Sequence, residues 1–204
     1  MVALEHLSIR SASDLTVLAD EWKALARRCP GYLLSQTHRW AEVAWEMIAQ
    51  PRRRKLAGVA LRSAGQLVAV WPLITYRELG ARIVRPLGSE ATEYCVPLVE
   101  PGADCDAWLS ALWQAAVRHA DIVMLPFLPT GSPLDVLLQR EHLQRIATAT
   151  SRAIWVAHGD YPDWKSYCRR SARSTVPSCG AKRRRLADHG TVGFSELGNS
   201  RRQS

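Results

Sequence analysis

The sequence predicts a mixed α/β fold, a mixed β-sheet flanked by helices in an α/β sandwich. Apolar residues recur at helical spacing in separate stretches, and runs rich in Val, Ile and Leu lie between them. Two of those runs follow one another across a short polar turn, so the sheet mixes direct hairpins with helical crossovers and is not purely parallel.

Each element has a local reason. Val2 to Ile9 alternates as a strand does. Ser11 and Ser13 can cap a helix on which Leu15, Leu18, Trp22 and Leu25 share one face, and Pro30-Gly31 stops it. Thr37 opens a second helix with Trp40, Val43, Ala44, Met47 and Ile48 on its apolar side, broken by Pro51 before the charged loop Arg52 to Lys55. Leu56 to Arg62 and Leu67 to Tyr76 form a hairpin through Ser63-Ala64-Gly65-Gln66. Gly80 marks the next turn and Arg82 to Leu87 the next strand, followed by the loop Gly88 to Cys95 and the apolar run Val96 to Val99. Asp106 to His119 is helical. Ile122 to Leu128 reads as a buried strand whose end Pro126 disturbs. Ser132-Pro133 opens a short helix through Glu141, and Ala153 to Val156 is a short strand.

Composition places the chain among ordinary globular proteins: 204 residues, 47% hydrophobic and 23% charged. The net charge of +8 is not spread evenly. Through Asp163 acidic and basic side chains balance, and the excess lies in the basic segment after it. Residues 1–160 are therefore read as one α/β domain and 161–204 as a basic helical C-terminal extension, which Pro177 and Gly180 interrupt. Cys29, Cys95, Cys105, Cys168 and Cys179 are odd in number and lack zinc-site spacing, which disfavours a disulfide framework and a structural metal. The first twenty residues carry charges where a signal peptide is apolar, and no stretch is long enough for a membrane span, so a cytoplasmic protein is expected.

The chemistry is not announced by a motif. There is no GxGxxG, no Walker-type loop, no Gly-x-Ser-x-Gly elbow and no His-Glu-x-x-His. The six histidines are scattered and are expected on the surface or in loops. Trp22, Trp40, Trp108 and Trp113 fall on apolar helix faces and are expected in the core, while Trp71 before Pro72 stays ambiguous. The loop from Gly88 carries Glu93, Tyr94 and Cys95, candidate polar groups on a rigid sheet. In the extension, Arg169, Arg170, Arg173, Arg183, Arg184 and Arg185 have the charge to hold phosphates, the default alternative being a solvated helix face.

Several segments in shared order resemble the CelD-like, or BioF2-like, acetyltransferases of the GNAT superfamily, related to FemAB-type aminoacyl transferases. They are Glu21-Trp22-Lys23-Ala24-Leu25-Ala26, Ser35-Gln36-Thr37-His38-Arg39-Trp40, Leu67 to Leu73, Arg85-Pro86-Leu87-Gly88, Glu93 to Val99, and Asp163-Trp164-Lys165-Ser166-Tyr167 leading to Arg183 through Gly190. The resemblance implies a GNAT-like fold, acetyl-CoA or another acyl-CoA as co-substrate, and a small-molecule or saccharide amine as acceptor, in some members for cellulose or exopolysaccharide production. It implies two such folds in tandem, so the chain reads as the first fold and the start of an incomplete second one, as in a truncated or frameshifted frame. The usual pyrophosphate loop, Arg or Gln then x-x-Gly-x-Gly or Ala, is not found. Trp40, Glu93 and Tyr94 are the expected substrate side and the extension arginines the cofactor side. Such enzymes work by holding an amine near a thioester and stabilising an oxyanion, so no side-chain triad is required. The competing readings are a basic-tailed binding module for nucleic acid or another polyanion, and a non-catalytic remnant.

Overall fold

The structure is a computed structural model that describes residues 4–92, 94, 96–118 and 120–140, with 163, 166, 184, 185, 188 and 190. The chain divides into two compact units, Met1–Ile146 and Ala147–Ser204. The expected strand Ala153 to Val156 and most of the basic extension lie outside the described residues.

The first unit is mixed α/β, with helices against both faces of its strands. It opens with β1 (Leu4–Ile9). Ser11 then caps α1 (Ala12–Val17), accepting from the Asp14 amide at 3.2 Å, while the Asp14 carboxylate accepts from the Ser11 amide at 2.9 Å. The single helix expected here is two, because the chain turns at Leu18 before α2 (Ala19–Arg28). Leu15, Leu18, Trp22 and Leu25 are buried as their spacing requires.

Thr37 starts α3 (His38–Ala44) as expected, its hydroxyl accepting from the Trp40 amide at 3.2 Å. Residues Trp45–Ala49 continue it as a wider turn, closed by the Gln50 amide on the Trp45 carbonyl. That widening breaks the 3.6-residue register. Met47, expected on the apolar side, is instead 70% exposed.

The expected hairpin is present, but its two arms run through two sheets. One arm is β2 (Lys55–Leu56) and β3 (Gly58–Ser63); the other is β4 (Gln66–Trp71) and β5 (Leu73–Glu78). The break falls at Pro72, which has no amide to continue a ladder. The Ala57 amide still reaches the Leu73 carbonyl, so the ribbon passes unbroken from one sheet to the other. The strand expected from Arg82 to Leu87 is β6 (Ala81–Pro86), the run before Val99 yields β7 (Leu98–Val99), and the crossover helix is α4 (Cys105–Val117). Where Ile122 to Leu128 was expected as a buried strand, only β8 (Ile122–Val123) forms and both residues are half-buried, the chain leaving the ladder before Pro126. The short helix is α5 (Pro133–Arg140).

The sheets are β1-β3-β4-β7, wholly antiparallel, and β2-β5-β6-β8, in which β6 and β8 are parallel. One core packs α1 to α3 against the ribbon through Trp22, Leu25, Ala44, Val70 and Ile74. The other packs α4 and α5 through Leu61, Trp71, Leu109, Leu112 and Trp113. Trp71 is therefore core, tilted against Trp113 with ring centroids 6.5 Å apart.

Candidate functional site

In open α/β sheets, ligand sites gather beyond the carboxyl ends of parallel strands, where connecting loops diverge. Here that place is the end of β6 and β8. The loop after β6 begins with the Leu87 amide on the Pro72 carbonyl, and Gly88 then turns at φ 79°. A Cβ there would meet Trp40 Nε1 at 2.7 Å and the Ala44 Cβ at 2.9 Å, so α3 can approach only because position 88 is glycine. The amides of Ala91 and Thr92 return to the Gly88 carbonyl and tighten this start.

The far end of the loop is held by the turn before α3. Ser35 Oγ donates to the Tyr94 carbonyl at 3.2 Å and Gln36 Nε2 to the Pro97 carbonyl at 2.8 Å. Tyr94 itself sits at φ 59°, a conformation unfavourable for a side chain of its size. After β8, Phe127 repeats that strain at φ 55° and is half exposed. Between the two loops lies an apolar crevice too narrow to admit a water molecule, lined by Pro86, Val96, Leu125, Pro126, Phe127 and Leu128, among others.

The polar groups nearby are largely committed. Ser89 is buried, donating to the Pro86 carbonyl at 2.8 Å and accepting from Arg85 Nε at 2.9 Å, while Arg85 also pairs with Glu90 at 3.6 Å. His38 corrects the expectation of surface histidines. It is buried, edge-on to Trp22, with Nε2 2.8 Å from the Leu15 carbonyl and Nδ1 3.6 Å from Glu42. Those contacts make it a structural residue rather than a base. Cys29 is likewise spoken for: burial pushes its thiol pKa up, with Glu100 adding to this, and its Sγ donates to the Val99 carbonyl at 3.4 Å. The indole Nε1 of half-buried Trp40 is itself buried and has no acceptor in the protein, as is also true of Trp71 Nε1 and Arg54 Nε.

The structure thus brings Trp40 and Tyr94 to opposite ends of one loop. Trp40 is only partly buried, and so is Trp108, whereas Trp22 and Trp113 are the core residues their spacing predicts. Glu93 and Cys95 fall outside the described residues, as do Arg169, Arg170, Arg173 and Arg183. Arg184 and Arg185 are exposed in a helical turn of the second unit, which is described separately. Sequence reasoning did not single out Phe127, and it named Ser35 and Gln36 only within a segment of family resemblance, with no role assigned to them.

No family model and no curated protein matches the chain. Among solved structures it is similar to the crystal structure of ribosomal-protein-alanine N-acetyltransferase from Brucella melitensis biovar Abortus 2308. The likeness has 17% identity and a TM-score of 0.43, over 76% of this chain and 99% of that one. A likeness this loose assigns no role to any residue. The site rests on its own geometry: two strained loops, an apolar crevice and, beside Gly88, a buried indole N–H without an acceptor.

A wider groove of about 510 Å³ lies between α4 and α5. Its walls are helix surface, and its polar feature is an exposed ion pair, Arg140 to Asp106 at 3.4 Å. It has neither the strained non-glycine residues nor the unpartnered indole found around the loop after β6.

Proposed function

We propose that the chain is an acyl-CoA-dependent N-acyltransferase of the GNAT type, with the crevice at the ends of β6 and β8 as its thioester side. The observation that carries this reading is that strands successive along the chain enter different sheets. β6 pairs in parallel with β8, yet β7, the next stretch of the same chain, pairs with β4 in the other sheet. Among the described residues no ladder joins β7 to β8. In this reading the edges that β7 and β8 leave without a ladder suit an extended ligand that carries amides of its own, which is the chemistry of a pantetheine arm.

In this reading Trp40 Nε1 supplies a donor to a bound carbonyl, while Tyr94 and Glu93 line the acceptor side. Rate enhancement then comes from proximity and a fixed donor rather than from a nucleophile. The acceptor class, an amine on a small molecule or a saccharide in polysaccharide production, follows from the sequence resemblance alone, as does the tandem relation of residues 161–204 to a second fold.

The test is calorimetric titration with acetyl-CoA together with thiol release across a panel of small amines and amino sugars. Binding and amine-dependent release are expected. Trp40→Phe, which keeps the ring and removes the N–H, is expected to lower kcat/KM roughly five- to tenfold, the worth of one hydrogen bond. Absence of both binding and release would overturn the reading.

A further inference from the structure

The hairpin joining β5 and β6 is closed by Leu79-Gly80, both left-handed, at φ 49° and φ 85°. Two-residue turns of this kind favour Asn or Asp before Gly, because a branched apolar side chain is strained there and gains nothing from water. Leu79 is nevertheless fully exposed, at 103% of its reference area. The tip is also held in place, with Arg77 donating from Nη1 to the Gly80 carbonyl at 3.1 Å.

The same end of the second sheet carries a dense positive charge. Arg52, Arg53, Arg54 and Lys55 run consecutively into β2, and the pairing of Lys55 with Thr75 sets this turn beside β5. Arg54 lies flat on the Tyr76 ring, 3.5 Å from its centroid. Its Nε is buried without an acceptor, which leaves the terminal guanidinium nitrogens as its open side. Arg52 donates to the Ile48 carbonyl at 2.8 Å, an ordinary use of a cation at a helix end, but that does not account for the three residues after it. Among the described residues no carboxylate pairs with Arg52 to Lys55 or with Arg77. The exposed acids near this end are Glu46, Glu78 and Asp121, whose carboxylate accepts from the Arg82 amide, too few to neutralise these five cations.

We propose that this end of the sheet docks the protein on an anionic lipid surface, with Arg52, Arg53, Arg54, Lys55 and Arg77 facing the headgroups and Leu79 entering the interface. Charge complementarity names the lipid as anionic, and the strained, projecting leucine separates a bilayer from a polyanion, for which an apolar tip offers nothing. The inference is independent of the acyl-transfer reading. It places a protein without a membrane-crossing helix among its described residues at a membrane face.

The experiment is flotation of the full chain with vesicles of phosphatidylcholine, with and without phosphatidylglycerol. Binding is expected only with phosphatidylglycerol present. Leu79→Asn, which suits the left-handed backbone, is expected to weaken it by about five- to tenfold, and Arg52→Gln/Arg53→Gln/Lys55→Gln to weaken it further and flatten its salt dependence. The basic residues after Asp163 add an attraction that neither variant touches. Unchanged binding in both variants would therefore overturn the proposal, as would no binding at all. Sensitivity to the charge variant but not to Leu79→Asn, with displacement by a single-stranded oligonucleotide, would also overturn it, in favour of a polyanion site.

Discussion

The two sheets of the first unit share one ribbon, but they treat strain differently. In β1-β3-β4-β7 the strands are antiparallel, and the two-residue turn between β3 and β4 puts Ala64 at φ 51° before Gly65. In β2-β5-β6-β8 two strands are only two residues long, one pair is parallel, and Arg53, Leu79 and Phe127 are left-handed at or beyond strand ends, as is Tyr94 in the loop that leaves this sheet. Backbone strain in bulky residues persists only where surroundings over-determine it, and it gathers at working sites. The first sheet is a scaffold, and the second carries what the scaffold positions.

If that division holds, the largest stability losses come from the scaffold side. Trp22 is fully buried, donates from Nε1 to the Gln36 carbonyl at 2.8 Å and packs edge-on to His38. Trp22→Ala is expected to cost about 3–5 kcal/mol in denaturant unfolding. It also frees Gln36, so the loop holding Tyr94 loosens with it. A loss near 1 kcal/mol would mean that α2 is not anchored through this residue.

The next effect compares two glycines of the second sheet. Gly80 has open space around it, whereas a side chain at Gly88 meets Trp40 and Ala44. Gly80→Ala is expected to cost about 1 kcal/mol, the left-handed penalty alone, and Gly88→Ala about 2–3 kcal/mol because the helix must also shift. Only the second is expected to change acetyl-CoA affinity, which titration of both variants would reveal. Equal losses would mean that α3 yields without cost.

What the sequence foretold follows this division. Helix starts at Ser11 and Thr37 and the hairpin through Ala64-Gly65 were legible because each depends on neighbours within a few residues. The turn at Leu18, the wide turn that exposes Met47 and the burial of His38 depend on packing between distant segments, to which local periodicity is blind. The site was half legible. Trp40 and Tyr94 were singled out, but the contacts that bring them to one loop, from Gly88 and Ser35, span 48 and 59 positions. Pro72 was visible as a breaker; that the ribbon would continue past it into a second sheet was not.

A smaller effect tests the scaffold's first helix. Removing the cap in Ser11→Ala is expected to cost about 1 kcal/mol. Asp14 adds a pH signature, since the Arg10 amide, followed by Ser11, holds its carboxyl below the usual carboxylate range. A pKa lower in the folded state means that the stabilisation is complete above the unfolded value and is lost as pH falls through the acid range. Asp14→Asn is expected to remove that part of the acid dependence in urea unfolding at a series of pH values. An unchanged slope would assign the acid sensitivity to other carboxylates.

The smallest effect on stability is the most informative about the second sheet, because its sign is reversed. Leu79→Asn replaces a strained, fully exposed side chain by one that tolerates φ 49°, so the fold is expected to gain about 0.5–1 kcal/mol. Ala64→Asn makes the same change at the matching turn of the first sheet and is expected to gain less, since alanine has less bulk to strain. Thermal unfolding of both variants measures the difference. A larger gain at Leu79 than at Ala64 would mean that the fold bears an extra cost for a fully exposed leucine, which fits a contact outside the folded chain. If Leu79→Asn instead destabilises the protein, the leucine is packing within the fold, and the contrast between the two turns carries no such meaning.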